Sequence, residues 1–341
     1  MSGRLSVIGL RLLQAVPVVI GVVVISFVLT RALPGDPAVY FAGTVADEAS
    51  IAEVRAELGL DQPLPVQFVY YVGDLLSGDL GRSLATGQPV AEDLARRLPA
   101  SLELTLTALL LSCSLAIPLG VLAATRPGSW IDHLCRVLVT AGVSMPTFFT
   151  GMVLIYLFYY LLGWAPSPLG RLDFLYFEPD SVTGFYLIDA ALMGDWDTWR
   201  AAAAQLILPA TTLALFTLAP IARMTRAAML SALSADFVRT ARASGLGRAK
   251  VLYGYALANA LLPVVTTLGM VFSFTLGANV LVEKVFAWPG IGSYAVEALV
   301  ASDYAAVQGF VLAMALLFVA LNLLIDLAYT LIDPRIGFSA R

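Results

Sequence analysis

SADFVRTARASGLGRAKVLYGYALANALLP, residues 234–263, is the only long basic, helix-patterned stretch lying between apolar runs in this chain of 341 residues. Ser234 has the side chain of a helix N-cap, and Asp236 falls in the first turn, where a carboxylate complements the helix dipole. Phe237, Val238 and Ala241 alternate with Arg239 and Arg242, which predicts a short amphipathic helix over residues 234–244. Gly245 and Gly247 are expected to end it, because glycine accepts the left-handed backbone of a helix C-terminus. A second basic segment through Arg248 and Lys250 leads into the next apolar run. A loop that only held positive charge would not need a capped helix with small residues on one face.

Outward from this stretch, apolar runs of about 20 residues recur, the length that crosses a bilayer. The chain is 59% hydrophobic and 13% charged, with mean hydropathy +0.85, against about 25% charged residues in a soluble domain. The reading is an all-α polytopic membrane protein of six spans, near residues 16–29, 102–123, 137–162, 205–221, 257–281 and 307–331. Pro146 lies inside the third, where a missing backbone donor kinks a helix; it is a candidate gating residue. Arg4 and Arg11 precede the first span, and residues 223–250 carry six basic side chains against one acid, Asp236. Positive charge marks the cytoplasmic side, so both termini and the basic stretch are expected there, as is the turn Arg126-Pro127-Gly128-Ser129. The whole chain, 1–341, reads as one transmembrane domain with no internal repeat, carrying an external subregion at 33–100 and the basic subregion at 223–254.

The external segments are acidic. From Arg31 to Glu103 there are eleven acidic and five basic residues, a docking surface for an external partner if the loop acts as a whole. Within it, Ser50-Ile51-Ala52-Glu53 reads as a capping box for a helix ended by Gly59. Residues 66–76 read as an amphipathic stretch at the membrane surface, and 89–98 as another with Pro89 at its first position. The next external loop, 163–203, holds an apolar run at 184–193 that is too short to span. Asp326, near the end of the sixth span, is expected to pair or to reach the interface.

Several chemistries find no support. Lys250 and Lys284 are the only lysines and neither follows glycine, so no phosphate-binding loop of the Gly-x-x-x-x-Gly-Lys type exists. His133 is the single histidine, which leaves no Ser/His/Asp set and no His/Cys metal cluster. Cys113 and Cys135 read as small apolar packing residues. The basic stretch lacks the interleaved aromatics of a nucleic-acid reader.

Residues 234–263 resemble the cytoplasmic coupling loop of ABC importer permeases. Arg239-Thr240-Ala241, followed after three residues by Gly245, stands where the family has Glu-Ala-Ala and its glycine. The Arg for Glu, and the distance of Leu262-Pro263 from the glycine, are similar to the peptide/nickel branch. So are Leu33-Pro34-Gly35-Asp36-Pro37, Ser144-Met145-Pro146, Trp288-Pro289-Gly290-Ile291-Gly292 and Asp303-Tyr304, in the family's order over nearly the whole chain. The set resembles the B-type permease of dipeptide/oligopeptide importers. That resemblance implies a type I permease fold in a bacterial inner membrane. It also implies a second related permease, two cytoplasmic ATPase subunits that bind the ATP and Mg, and an external solute-binding protein. No cofactor is expected on this chain, and no substrate-binding residue is identified. Asp236, Arg239, Thr240, Ala241, Arg242 and Gly245 would couple the ATPases to the bundle, with Ala241, Ala243 and Gly245 small enough for close approach. Di- or oligopeptides are the expected substrate, with nickel or glutathione the alternative within the family. A gradient-driven secondary transporter would place ionisable groups near the midplane, and the spans have almost none. A membrane-bound enzyme would need a nucleophile or metal set that the chain lacks.

Overall fold

The computed structural model describes residues 2–32, 37–42, 47–57 and 59–332. Among these, the regular structure is helical, apart from one isolated bridge between Arg82 and Pro89. The helices are α1 (Ser2–Ala32), α2 (Pro37–Ala42), α3 (Glu48–Glu57), α4 (Leu64–Ser77), α5 (Val90–Thr125), α6 (Trp130–Ser144) and α7 (Thr147–Leu154). They continue as α8 (Tyr186–Met193), α9 (Trp196–Ser234), α10 (Asp236–Ala243), α11 (Ala258–Val285), α12 (Ile291–Val300) and α13 (Tyr304–Ile332). π-helical turns at Ile155–Leu161 and Lys250–Leu257 extend α7 and lead into α11. Among the described residues four stretches are long and apolar enough to cross a membrane: Val90–Thr125, Trp196–Ser234, Lys250–Val285 and Tyr304–Ile325. Val16–Leu29 and Thr147–Leu161 are shorter apolar stretches. The motif residues Leu33 to Asp36, the C-terminal segment from Asp333 and the side chain of Asp326 lie outside the described residues.

Helices outrun the apolar runs that announce them. At about 1.5 Å per residue, the 36 residues of α5 reach about 54 Å and the 39 of α9 about 58 Å, against a hydrocarbon layer of about 30 Å. The amphipathic stretch expected at 89–98 and the span expected from 102 are one helix, because Pro99 interrupts a single backbone bond without ending the ladder. In α3 the cap is Asp47, whose Oδ1 accepts from the Ser50 amide at 2.9 Å; Ser50 lies inside the helix, not at its start. The third apolar run is two helices instead of one kinked one. Met145 (φ −109°, ψ 139°) and Pro146 (φ −57°, ψ 139°) are both extended between them, since a residue before proline is driven out of the helical region.

The chain divides into two compact units. One comprises the described residues up to Leu98 with Gly290–Leu323. Its core joins Val90 and Leu94 of α5 to Ile291, Tyr294 and Ala298 of α12 and Ala306 of α13. Asp303, fully buried, ties it together. Its Oδ2 accepts from the Ser83 hydroxyl at 2.7 Å and the Leu84 amide at 2.6 Å, while Oδ1 caps α13 through the Ala306 amide at 3.1 Å.

The other unit is Pro99–Pro289 with the described residues from Leu324. Lipid tails are as apolar as leucine, so helix association inside a bilayer rests on close packing and interhelical hydrogen bonds. Both are present. A Cβ on Gly142 of α6 would sit 2.6 Å from the Leu215 carbonyl oxygen of α9. The Asn279 side chain donates to Thr105 Oγ1 at 3.2 Å, Ser101 bonds Glu283, and Trp288 Nε1 donates to the Ala100 carbonyl at 2.9 Å. Bonds of this kind contribute about 0.6 kcal/mol each on average. Near the start of the second span, Glu103 forms a buried pair at 2.6 Å with Arg171 of the following loop, whose guanidinium stacks 3.4 Å from the Tyr186 ring centroid.

Candidate functional site

The expected amphipathic helix exists, displaced by two residues at its start. α9 continues through Ser234, whose hydroxyl turns back to the Ser231 carbonyl at 2.8 Å. The break falls at Ala235 (φ −73°, ψ 152°), and no side chain caps α10. Ser234 is therefore the last residue of one helix and not the N-cap of the next. Asp236 opens α10 and accepts from Arg239 at 3.4 Å across one turn; both side chains are at least three-quarters exposed, so the pair is worth at most about 1 kcal/mol. Thr240 Oγ1 donates to the Asp236 carbonyl at 3.0 Å. The helix ends at Ser244, followed by Gly245 at φ +77°. The Gly245 amide reaches the Arg242 carbonyl at 3.0 Å and the Leu246 amide the Ala241 carbonyl at 3.3 Å. Gly247 does not take the left-handed region; one glycine makes the stop.

Burial divides α10 into two faces. Val238 and Ala241 are buried in a cluster with Val121 and Ala124 of α5, Met229 and Ala232 of α9, and Val251, Ala256 and Ala260 leading into α11. Asp236, Phe237, Arg239, Thr240, Arg242 and Gly245 are exposed. Ala241 thus packs against its own chain, while Ala243 and Gly245 remain outside. Phe237 is the one large apolar side chain that α10 turns outward, at 40% exposure.

One turn back along α9 from Met229 lies a cluster that the sequence did not reveal. Asp132, 1% exposed at the start of α6, accepts from Arg226 of α9 through both oxygens, Nε at 2.6 Å and Nη2 at 3.0 Å. It also accepts from the Gly128 amide at 3.0 Å and from Arg136 at 3.1 Å, while Ser129 caps the helix through the Asp132 amide at 3.4 Å. The Arg226 bonds, then the Gly128 amide, hold this carboxyl far below the usual carboxylate range against the opposing effect of burial. Ser129-x-x-Asp132 was legible as a capping box; a partner 94 positions away was not. Pro146, exposed, starts α7, and its carbonyl accepts from the Thr150 amide at 3.1 Å.

The unit that includes α4 and α12 holds an open cavity of about 650 Å³ lined by Arg31, Gln67, Tyr71, Arg82 and Tyr304 among others. Arg31 donates to Gln67 Oε1 at 3.2 Å and lies 4.4 Å from the Phe27 ring centroid. Among the described residues no group of three or more His, Cys, Asp or Glu is arranged to hold a metal.

Residues 116–338 match the family model of the binding-protein-dependent transport system inner membrane component, and residues 5–105 match the N-terminal model of such membrane components. The chain belongs to this family. The permease is 48% identical to the probable D,D-dipeptide transport system permease protein DdpB of Escherichia coli K12, over 97% of both chains. It is 44% identical to the di/tripeptide transport system permease protein DppB of Pseudomonas aeruginosa, over 97% of this chain and 98% of that one. Identity to the dipeptide transport system permease protein DppB of Escherichia coli K12 is 42%, over 96% and 97%. The permease is thus a multi-pass inner-membrane transport component of all-α fold, and α10 lies within the part that the larger family model covers.

Proposed function

We propose that this permease is one of two related membrane subunits of an ATP-driven peptide importer, and that α10 is where cytoplasmic ATPase subunits act on it. The carrying observation is the division of α10 into a face locked in the chain's own core and a face turned outward. A helix held by Val238 and Ala241 moves with α5, α9 and the start of α11 when pushed, whereas a mobile loop would absorb the push. Phe237 offers an apolar anchor; Arg239 and Arg242 offer charge to acidic groups, with Gly245 setting the exit angle. ATP and Mg bind the ATPase subunits, and their closure selects between two states of the bundle that they bind differently.

In this reading α1, the α6–α7 pair and the four long stretches make six spans, with both termini and α10 cytoplasmic. Residues 33–100 and 163–203 face outward, toward an external solute-binding protein. Pro146 lets α6 and α7 reorient separately and is the gating candidate. The relatives' names favour di- or oligopeptides over nickel or glutathione. The first test is purification of the tagged permease from its native membrane in mild detergent. A second permease and two ATPase chains are expected to come with it. Recovery alone, under conditions where control complexes survive, would refute the reading.

A further inference from the structure

Three observations converge on the cytoplasmic end of α9. A Cβ on Gly120 of α5 would lie 2.9 Å from the Ala222 carbonyl oxygen and 2.6 Å from Thr225 Cβ, so α5 and α9 are in backbone contact there. One residue further on, Arg226 leaves α9 to grip Asp132 on the first turn of α6. One turn beyond that, Met229 and Ala232 pack on Val238 and Ala241 of α10. The contacts of α9 with α5 and α10 are apolar or steric, and such surfaces can slide. α6 meets α9 by the close backbone approach of Gly142 to Leu215 and, at its first turn, by a two-point fork between a guanidinium and a carboxylate, which alone fixes direction as well as distance. Asp132 is further held by the Gly128 amide of the turn before α6, and α6 ends at the extended Met145-Pro146 joint that starts α7.

We infer that Asp132 and Arg226 are positioning residues for transport: their ion pair is the joint that makes α6 follow α9 when α10 is displaced. This rests on the role of α10 argued above and extends it to a specific route out of the coupling helix. Without the joint, α10 and α9 still move with the ATPases, but α6, released at its first turn, slides on the steric contact that remains at Gly142 and Leu215, and less of the motion reaches the Pro146 break. A plain structural staple makes a different prediction. Removing one partner from a buried pair leaves an uncompensated charge, whereas replacing both with neutral side chains is often harmless to stability.

The decisive variant is therefore the neutral pair Asp132→Asn/Arg226→Met, studied in the full importer reconstituted in lipid with its binding protein. The asparagine side chain retains local hydrogen bonding to the Gly128–Ser129 turn; the methionine side chain fills space without gripping it. The readout is MgATP hydrolysis with and without saturating binding protein, whose signal must cross the bundle to reach the ATPases. We expect normal subunit composition, a basal rate close to that of the unaltered importer, and stimulation reduced about tenfold. Arg226→Lys, which keeps the charge but loses the fork, is expected to fall between. Full stimulation in the double variant overturns the inference, as does failure of the double variant to assemble, which assigns the pair to folding. If the unaltered permease is recovered without ATPase subunits, the importer reading itself fails.

Discussion

At the scale of single residues, the coupling stretch separates positions defined by backbone from those defined by contact. Gly245 has open space around the place a side chain would occupy, yet sits at φ +77°. Any L-residue there costs about 1 kcal/mol of backbone strain whatever its size. Gly245→Ala and Gly245→Trp are thus expected to insert normally and to lower transport per ATP to a similar degree; a defect in the tryptophan variant alone would instead point to a steric clash with a partner. The residue types of α10 are readable from pattern, including its acidic first turn and glycine stop. Pattern also puts Ala241, three positions after Val238, on the apolar face. What it leaves undecided is what that face meets, which is Val121 of α5, Met229 of α9 and Val251. Asp132 is hidden for a related reason: its chemistry depends on Arg226, and no local signal joins them.

At the scale of elements, the Met145-Pro146 joint has the sharper consequence. Two extended residues separate α6 from α7, so each helix reorients without bending the other. Pro146→Ala restores a backbone donor and lifts the restriction on Met145, favouring a continuous helix. Uptake is expected to fall severalfold while ATPase subunits still bind; uptake at the unaltered rate would remove Pro146 from gating. Apolar runs locate the membrane-crossing parts of α5, α9, α11 and α13 because lipid demands them. They do not locate the helix ends, because a helix in water continues on hydrogen bonds and caps that hydropathy does not report. Nor does hydropathy single out α12: its residues, Ile291–Val300, follow a Pro-Gly turn and are too few to stand out as a span.

At the scale of the whole molecule, the charge asymmetry predicts a topology that cells can report. With Cys113 and Cys135 replaced, a cysteine introduced at Asp180 is expected to react with a membrane-impermeant thiol reagent on intact cells. One at Arg248 is expected to react only after the membrane is opened. Reversal of that pattern would invert the molecule and put α10 out of reach of any ATPase. The length of α9 adds a mechanical consequence. Its N-terminal end packs against α8 and is capped by Asp195, which accepts from the Thr198 amide at 3.0 Å and from its hydroxyl at 2.6 Å, while its C-terminal end carries α10. Pro209 and Pro220 lie inside α9, but its contour is still about 58 Å, and over that length a tilt of about 5° carries the far end by about 5 Å, close to one helical turn. In the proposed coupling α9 would then be a lever arm: a rotation small enough to keep its packing on α8 would sweep the α10 end by nearly a full turn of a neighbouring helix.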